Sequence, residues 1–470
     1  MVVTMCAVKN SARARKSPLT QTTDGTPLRM KVAKPPREWP LLILIALLCA
    51  GFGVTIGLAI IAEDTGSLDV AGGWLTAIGR ITGLTGAYLM LITVLLIARI
   101  PIIERVVGQD RLVSLHRTLG PWPIVLILIH AVLITLGYGA RYQRGPVGEL
   151  WNLTSSYPGI LLALVATFLV VLAGVTSYRI ARRRMKYETW WVVHLYIYLA
   201  LALSFPHQIA TGASFVGHPA NRAWWIAIWL ATAGVAIAYR FLLPLYRSLR
   251  HQLKIVSIKE EAPGVVSIIV EGRKLERLAV SGGQFFQWRF LVKGHWWQAH
   301  PYSLSAMPRP PYMRVTVKDL GDASGEMRWL HPGTRVAIEG PYGAFTRFSK
   351  TGEHVLLVAA GVGVTPIRAL LEDLPKHTDV VCVLRARTAE ELPHLDEIGR
   401  LIEKRGGRLH TLLGTRDQVP LQSALPSVVP DLGGRDIYIC GPEDFAEAVA
   451  TTARRYGASD DQIHSEVFSF

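Results

Sequence analysis

The sequence predicts a multi-domain protein: an all-α bundle of six transmembrane helices, then an antiparallel β-barrel, then an α/β domain. Three observations predict this order. Six long apolar runs lie between residues 41 and 243, short β-like runs divided by turn residues follow from 250, and strand-like and helix-like runs alternate from 354. At 470 residues the chain is also too long for a single hydrophobic core.

Each apolar run has the length that a membrane crossing needs. A hydrocarbon core of about 30 Å requires roughly 20 apolar helical residues. The first run is too long for a cleavable signal peptide and follows a long polar, basic segment, so we expect it to stay in the protein. The predicted spans are 41–62, 74–98, 121–138, 158–178, 190–206 and 223–243.

The chain has 50 Lys and Arg against 35 Asp and Glu, an excess that could indicate nucleic acid binding. Its distribution indicates membrane topology instead, because the cations concentrate before the first span and in alternate loops, and such loops stay cytoplasmic. We therefore expect a multi-pass protein of the cell membrane, with the lipid bilayer and no nucleic acid as partner. Both termini and the whole C-terminal half are predicted to be cytoplasmic.

Changes in composition predict four segments. Residues 1–38 are basic and rich in Ser, Thr and Pro, which is typical of a disordered tail. Residues 39–247 form the predicted membrane domain, 250–347 the β-barrel domain and 350–470 the α/β domain. The four cysteines (Cys6, Cys49, Cys382 and Cys440) lack the paired spacing of an iron–sulfur cluster or a zinc knuckle.

Four histidines recur at the third and fifth predicted spans, with His116 on the cytoplasmic approach to the third. His116 and His130 are fourteen positions apart, and His194 and His207 are thirteen apart, so each pair is separated by about 20 Å along its helix axis. Neutral imidazole is an axial ligand of haem iron. A single histidine at a span end is more often an interfacial residue, but four at matched depth predict two b-type haems. His116 and His194 would hold the inner haem, and His130 and His207 the outer haem.

The prolines of these spans bear on the geometry. Thirteen residues place two side chains on nearly opposite faces of a straight helix, and Pro206, directly before His207, could kink the helix and reorient that ring. Pro121 and Pro123 are expected to interrupt the hydrogen-bond ladder of the third span.

The paired spacing resembles the membrane domain of the ferric reductase and NADPH oxidase family. The two histidine pairs lie in the third and fifth of six spans, and HRTLG surrounds the first histidine. The resemblance implies a transmembrane electron pathway. Arg80, within the second span, either snorkels to the outer interface or acts as counter-ion to a haem propionate or beside the acceptor. Gly79 and Gly83 are expected to permit close helix packing.

The segment GHWWQAHPYSLSAMP (294–308) contains a predicted strand, His300-Pro301-Tyr302-Ser303, whose hydroxyls could hold a flavin but which also fits an ordinary strand and turn. Gly321 and Ser324 begin a predicted helix whose free N–H groups suit a pyrophosphate. Together these segments resemble the flavin domain of the ferredoxin–NADP reductase superfamily, with His300 where many members have arginine. The resemblance implies FAD, contacted by Tyr302 and Ser303, with Gly321 and Ser324 as the phosphate turn.

The run HVLLVAAGVGVTPIRALLEDL reads as a strand, a glycine turn and a helix. Gly361 and Gly363 let the backbone approach a phosphate, and Thr365 can add a hydroxyl. Arg385 and Arg387 end the next strand where an acidic residue would bind the ribose of NAD, and Arg416 is a further phosphate partner. The arginines are either solvated or bind a 2′-phosphate, so the sequence favours NADPH over NADH.

The C-terminal segments also resemble the reductase superfamily. There, the turn that matches Cys440-Gly441-Pro442 lies beside the nicotinamide, and a terminal aromatic ring lies on the flavin. Phe470 matches that ring, and Phe468 is the alternative. The resemblance implies that Cys440 and Phe470 act at the site of hydride transfer.

These features predict an NAD(P)H-dependent flavohaem oxidoreductase that moves electrons from cytoplasmic NADPH through FAD and two b-type haems to the outer face. Ferric chelate is the favoured acceptor, and dioxygen, reduced to superoxide, is the alternative. An alternative of another class is a flavin reductase anchored by a haem-free bundle and serving a cytoplasmic partner. The sequence leaves the oligomeric state open.

Overall fold

The structure is a computed structural model that describes Pro35 and residues 38–178, 184–185, 187–293 and 296–467. It has a helical unit, Pro36–Leu243, and a second compact unit that contains Pro244–Phe470. The helical unit is all-α, and the second unit contains an antiparallel sheet followed by a parallel one. The predicted fold class is confirmed.

The helical unit contains most of the long apolar helices. Six helical segments in the described part of the chain are long and apolar enough to span a membrane, as predicted: Trp39–Ile61, Gly73–Leu96, Arg111–Tyr142, Ile160–Ser177, Thr189–Thr211 and Pro219–His251. Many apolar side chains on these helices are exposed, among them Leu42, Phe168 and Leu230. An apolar exterior of this kind suits a lipid environment. The helices are α1 Trp39–Ile61, α2 Gly73–Leu96, α3 Pro101–Val107, α4 Gln109–Leu119, α5 Pro121–Tyr142, α6 Pro146–Ser156, α7 Ile160–Ser177, α8 Tyr187–Thr211 and α9 Pro219–Ile237.

The third span is longer than the predicted 121–138. Gly120, between α4 and α5, keeps a right-handed helical backbone (φ −54°, ψ −36°), so the chain stays helical from Gln109 to Tyr142. Pro121 and Pro123 lie in the first turn of α5, where proline is most easily accommodated. The expected interruption therefore falls at the junction of α4 and α5, and His116 lies within the span. Pro206 lies inside α8, which continues past it to Thr211.

Two helix pairs form the centre of the helical unit: α2 packs along α5, and α7 packs along α8. A Cβ added at Gly79 or Gly86 would lie about 3 Å from side chains of α5. The glycines of α2 therefore permit close packing, as expected from the sequence, and they bring the α2 backbone next to α5.

The antiparallel sheet has six strands in the order β4-β3-β6-β1-β2-β5. Its core contains fully buried Phe286, Trp288, Leu304 and Val315. A helix, α10 Leu243–His251, precedes the first strand, and the short helix α11 Asp322–Gly325 follows β5. The strands are β1 Leu253–Ala262, β2 Val265–Glu271, β3 Phe285–Phe290, β4 His300–Ser303, β5 Tyr312–Lys318 and β6 Arg335–Tyr342.

The parallel sheet has five strands in the order β11-β10-β7-β8-β9, with apolar clusters on both faces. The carboxyl ends of parallel strands meet at one edge, and ligands of such sheets bind there, beside the point where the strand order reverses. Here that point lies between β7 and β10. The elements are β7 His354–Ala360, α12 Val364–Asp373, β8 Asp379–Ala386, α13 Leu395–Glu403, β9 Arg408–Leu413, α14 Leu421–Val428, β10 Asp436–Gly441, α15 Glu443–Arg455 and β11 Ile463–Val467.

Candidate cofactor and electron-transfer sites

The structure brings His116 of α4 and His194 of α8 together. Their ring centroids are 6.0 Å apart, and the ring planes are inclined by 76°. Two imidazoles that bind one metal from opposite sides, each through a bond of about 2 Å, place their centroids roughly 6 Å apart. The donor atoms and the spacing of this inner pair therefore fit an iron bound by two histidines.

The Nδ1 atoms of two of the histidines contact backbone carbonyls of α2. Nδ1 of His116 is 3.0 Å from the oxygen of Thr93, and Nδ1 of His130 is 2.7 Å from the oxygen of Gly79. A carbonyl oxygen only accepts, so Nδ1 carries the hydrogen in both rings. Nε2 is then left with its lone pair, which is the form that binds a metal. The carbonyl partners were missed at the sequence level, because a backbone group leaves no signal in residue identity.

Glycines make room for the outer pair, His130 and His207. A Cβ added at Gly83 would lie 2.5 Å from Nδ1 of His130. At the start of α7, Gly159 has φ +86°, and a Cβ there would lie 2.8 Å from the backbone nitrogen of His207. Gly83 thus leaves space for a ligand ring, in addition to its expected role in helix packing.

The rings of His116 and His194 form a close pair. Among the residues that the structure describes, no group of three or more His, Cys, Asp or Glu side chains could hold a bare metal ion. Haem needs only axial ligands from the protein. The close pair of His116 and His194 meets that requirement.

Arg80 is paired within the protein. Its guanidinium forms a salt bridge with Glu63, which follows α1, and both side chains are largely buried. A buried carboxylate thus balances the charge of Arg80, a partner that the sequence analysis missed. Contact of Arg80 with a haem propionate or an acceptor stays a prediction.

The predicted flavin strand is β4, which pairs with β3. The rings of His300 and Tyr302 are stacked with centroids 5.9 Å apart, and burial raises the pKa of Tyr302 to about 12, so its hydroxyl stays protonated. Pro301 lies between these two residues in the sequence. The Ser303 hydroxyl donates to Oε1 of Glu466 at 2.8 Å.

Glu466 is a site residue that the sequence analysis missed. It lies on β11, where it pairs in register with Cys440 of β10, so the structure brings Ser303, Cys440 and Glu466 together. Burial, followed by the charge of Glu466, raises the pKa of the Cys440 thiol well above its usual value. The thiol therefore stays neutral. The glutamate in the C-terminal sequence HSEVFSF was the feature of the sequence that could have indicated this site residue.

The predicted phosphate turn begins at Gly321, which has φ +93°. The Ser324 hydroxyl donates to the carbonyl of Gly321 at 2.8 Å and accepts from the amide of Leu320 at 2.9 Å. The predicted helix is present as the four residues of α11, and the backbone then changes to a 3₁₀ turn at Glu326. The hydroxyl of Ser324 closes this turn, and its contact with a phosphate stays a prediction.

Gly361 and Gly363 form the turn between β7 and α12. A Cβ at Gly363 would clash with the carbonyl of Cys440, whereas Gly361, with φ +56°, has no described atom within 4 Å of a Cβ position. Gly363 thus serves packing against β10, and Gly361 leaves open space. Thr365 is buried, and its hydroxyl donates to the carbonyl of Val362 at 2.9 Å, so this hydroxyl stabilises the turn.

Arg385 and Arg416 form a cationic pair at the carboxyl end of the parallel sheet. Nη2 of Arg385 donates to the carbonyl of Thr415 at 2.8 Å, while its buried Nη1 has no hydrogen-bond partner among the described residues. Burial, followed by the charge of Arg416, lowers the pKa of Arg385. An unsatisfied donor beside a second cation suits an anionic group such as a phosphate.

The CGP turn ends β10 and begins α15. A Cβ at Gly441 would lie 2.8 Å from the ring of Phe445, and Pro442 is the N-cap residue of α15. Arg387 is exposed at the end of β8. Phe468 and Phe470 lie outside the described residues.

Two parts of the chain match known families. Residues 82–205 match the family described as "Ferric reductase like transmembrane component", and residues 357–451 match "Oxidoreductase NAD-binding domain". The first match includes His116, His130 and His194 and ends just before His207. The resemblance found in the sequence is confirmed.

The curated relatives match less than half of the chain. The ferredoxin reductase component of 3-ketosteroid-9-alpha-monooxygenase from Mycolicibacterium smegmatis is 31% identical over 231 residues, which are 46% of this chain and 65% of that protein. An NADPH oxidoreductase from Mycobacterium tuberculosis is 26% identical over 238 residues, 48% of this chain and 62% of that protein. The chain covers less than two thirds of the length of these relatives.

Solved structures also align with the chain. The FAD/NAD-binding domain of nitric oxide dioxygenase from Vibrio cholerae has a TM-score of 0.41 and 24% identity, over 46% of this chain and 98% of that chain. A flavohemoglobin from Malassezia yamatoensis has a TM-score of 0.43 and 17% identity, over 82% of this chain and 98% of that chain. These scores are too low to support a functional argument. The family matches support a membrane oxidoreductase that combines a ferric reductase like transmembrane component with an NAD-binding domain.

Proposed function

We propose a transmembrane electron-transfer function for this chain, which combines a ferric reductase like transmembrane component with an oxidoreductase NAD-binding domain. Electrons pass from cytoplasmic NADPH through FAD and two b-type haems to an acceptor on the outer face, and a ferric chelate is the favoured acceptor. One observation carries the proposal. The rings of His116 and His194 are 6.0 Å apart, a spacing that suits two axial ligands of one iron.

Each cofactor is assigned to its own set of residues. When bound, FAD accepts the two electrons of a hydride from NADPH, and the haems carry electrons singly. The neutral thiol of Cys440 and the carboxylate of Glu466, which accepts a hydrogen bond from Ser303, lie beside the predicted site of hydride transfer. The proposed contacts are His116, His194, His130 and His207 for haem; Tyr302, Ser303, Gly321 and Ser324 for FAD; and Gly361, Gly363, Thr365, Arg385, Arg416, Gly441 and Pro442 for NADPH.

The preference for NADPH rests on Arg385. Its buried Nη1 lacks a partner in the described structure, and Arg416 lies close enough to lower its pKa. A 2′-phosphate would satisfy this donor and offset the charge of Arg385, whereas Arg416 already has a carboxylate oxygen of Asp444 within 3.6 Å. NADH has only a neutral hydroxyl at this position.

The first test separates flavin reduction from membrane transfer. We expect His130→Ala to lose one of two haems and to stop reduction of an outer acceptor, because the outer iron loses an axial ligand. Reduction of flavin by NADPH should persist, since it needs only the cytoplasmic module. The control is His218→Ala, an exposed histidine between α8 and α9. Reduced-minus-oxidised spectra give the haem content, and stopped-flow absorbance gives flavin reduction.

A second candidate function is favoured by several of the curated relatives, whose names describe reductase components or subunits of monooxygenases. In that case the chain would reduce a cytoplasmic partner and its helical unit would be an anchor without haem. A purified, flavin-loaded protein with no b-type absorption would favour this candidate. Proteoliposomes that enclose either a ferric chelate or dioxygen-saturated buffer with a superoxide probe would then identify the acceptor of the haem-loaded protein.

A further inference from the structure

Ser177, the last residue of α7, contacts two aromatic side chains of α8. Its hydroxyl oxygen is 3.1 Å from Nε1 of Trp190 and 3.2 Å from Nδ1 of His194. Trp190 is also stacked on His194, with ring centroids 5.2 Å apart and ring planes inclined by 28°. A hydroxyl and an indole thus contact the Nδ1 edge and one face of the same histidine.

The hydroxyl of Ser177 has its own hydrogen engaged elsewhere. Its oxygen is 2.6 Å from the carbonyl oxygen of Ala173, and two oxygens at this distance need a hydrogen between them. The carbonyl has no hydrogen, so Ser177 donates to Ala173. The oxygen of Ser177 can then only accept from its two aromatic neighbours.

Both of those neighbours must therefore be donors. The indole nitrogen of Trp190 donates and cannot accept. The contact between Ser177 and His194 is a hydrogen bond only if Nδ1 of His194 carries the hydrogen. In that tautomer Nε2 keeps its lone pair, which is what a metal ligand requires.

We propose that Ser177 and Trp190 are positioning residues for the inner haem, which hold His194 in the tautomer and ring orientation that present Nε2 to iron. This inference rests on the proposed function, because it concerns the same histidine pair. A ligating histidine that donates its other N–H to an acceptor becomes a more basic ligand, and loss of such a partner lowers metal affinity roughly 10- to 100-fold.

The two ligands of the inner pair differ in the acceptor that they use. Nδ1 of His116 donates to the backbone carbonyl of Thr93, which a change of side chain does not remove. Nδ1 of His194 donates to a side-chain hydroxyl, so its hydrogen bond depends on the identity of residues 177 and 190. Substitutions at residues 177 and 190 can therefore change the properties of the inner haem through its ligand His194.

The test compares Ser177→Ala with Thr176→Ala in the full-length, haem-loaded protein. Thr176 is the matched control, because its hydroxyl donates to the carbonyls of Leu172 and Ala173 in the same helix turn. The midpoint potential of each haem is measured by spectroelectrochemical titration, and haem retention by dilution into apomyoglobin. We expect Ser177→Ala to raise the potential of one haem and leave the other unchanged, because a less basic imidazole stabilises ferric iron less.

Two further variants separate positioning from packing. Ser177→Thr keeps the hydroxyl and should restore the wild-type potential. Trp190→Phe keeps the stacked ring but removes the N–H that holds Ser177, so it should give a shift in the same direction but smaller. Trp190→Phe also keeps the inference testable if Ser177→Ala fails to fold.

Three results would overturn the inference. Unchanged potentials in Ser177→Ala and Trp190→Phe would show that neither residue acts on the haem. An equal shift in Thr176→Ala would assign the effect to the packing of α7. A wild-type protein without haem would overturn the proposed function as well, and this is visible before any variant is made.

Discussion

At the residue scale, the informative groups are those whose hydrogen bonds are fixed or missing. The histidines on α4 and α5 have their Nδ1 hydrogens committed to carbonyls, whereas Nη1 of Arg385 is buried without a partner in the described structure. When a carbonyl accepts the Nδ1 hydrogen of a histidine, the tautomer of that histidine is fixed. A missing acceptor indicates a ligand that the protein alone does not supply.

The missing acceptor gives a prediction on cofactor choice. We expect Arg385→Ala to raise KM for NADPH by roughly 10- to 100-fold and to leave KM for NADH nearly unchanged, since a hydrogen bond to a charged group contributes about 1.5–3 kcal/mol. Steady-state kinetics with a soluble dye as acceptor measure both constants. Arg455→Ala, an exposed arginine at the end of α15, is the control. Equal effects on the two nucleotides would show that Arg385 does not bind the 2′-phosphate.

At the element scale, α2 is the helix that positions two of the proposed haem ligands, which lie on other helices. Its carbonyls at Gly79 and Thr93 accept from two ligands on other helices, and Gly83 leaves room for the ring of His130. Such a helix tolerates little change on this face, because an added side-chain atom would displace a ligand.

Gly83→Ala tests this role. Its Cβ would lie 2.5 Å from Nδ1 of His130, closer than atoms in contact allow, so the ring must move from the carbonyl of Gly79. We expect loss or a spectral change of the outer haem, with the inner haem retained. Gly53→Ala on α1 is the control, because no described atom lies within 4 Å of its Cβ position. Identical spectra of the two variants would contradict the role assigned to α2.

The order of elements and the four histidines could be predicted from the sequence, since both depend on side-chain type and spacing. The start of the third span could not, because proline disfavours a helix interior but suits a helix start, and only the backbone of Gly120 decides between them. The partners of Ser303 and Arg80 were also missed. Glu466 is distant in sequence from Ser303, and Glu63 lies outside the helix that contains Arg80. A single acidic residue also shows no periodic pattern that would predict its partner.

An ion network joins the two sheets of the second unit. Arg314 of β5 donates to both carboxylate oxygens of Glu397 on α13, each at 2.8 Å, and Nε of Arg368 on α12 donates to the same carboxylate. Burial raises the pKa of Glu397, but the hydrogen bonds and charge of Arg314, followed by Arg368, outweigh it and hold that pKa well below its usual value. The carboxylate is therefore more stable charged in the folded protein than in the unfolded chain.

The sign of the pH dependence follows from this difference. A carboxyl whose pKa is depressed by folding stabilises the protein above its unfolded pKa of about 4.3, and that contribution is lost as the pH falls below this value. We expect Glu397→Gln to lower the free energy of unfolding by about 1.5–3 kcal/mol at pH 7, and the deficit to shrink below pH ~4. Thermal release of FAD, followed by its fluorescence, measures the effect. Glu403→Gln, exposed at the end of the same helix, should match the wild type throughout, and a pH-independent deficit in Glu397→Gln would contradict the explanation.

At the scale of the whole molecule, the chain consists of a helical unit and a second unit that carries the predicted nucleotide-binding site, here called the nucleotide-binding unit. The membrane topology decides on which side of the membrane that site lies. Six candidate spans lie in the described chain, and an even number of crossings places the segments before and after them on one side. The cation-rich segments of the sequence fall on that same side, because they precede the first span and follow the second, the fourth and the sixth. The positive-inside rule predicts that this side is the cytoplasm, where NADPH is available.

Membrane vesicles of known orientation test this topology. NADPH is a multiply charged molecule that does not cross a bilayer, so it can reduce the protein only from the side that exposes the nucleotide-binding unit. We expect NADPH to reduce the haems in inside-out vesicles at the full rate, and in right-side-out vesicles only after permeabilisation with detergent. Permeabilised samples of both orientations serve as the control for total activity. Reduction in intact right-side-out vesicles would place the nucleotide-binding unit outside, and the proposed direction of electron flow would then be reversed.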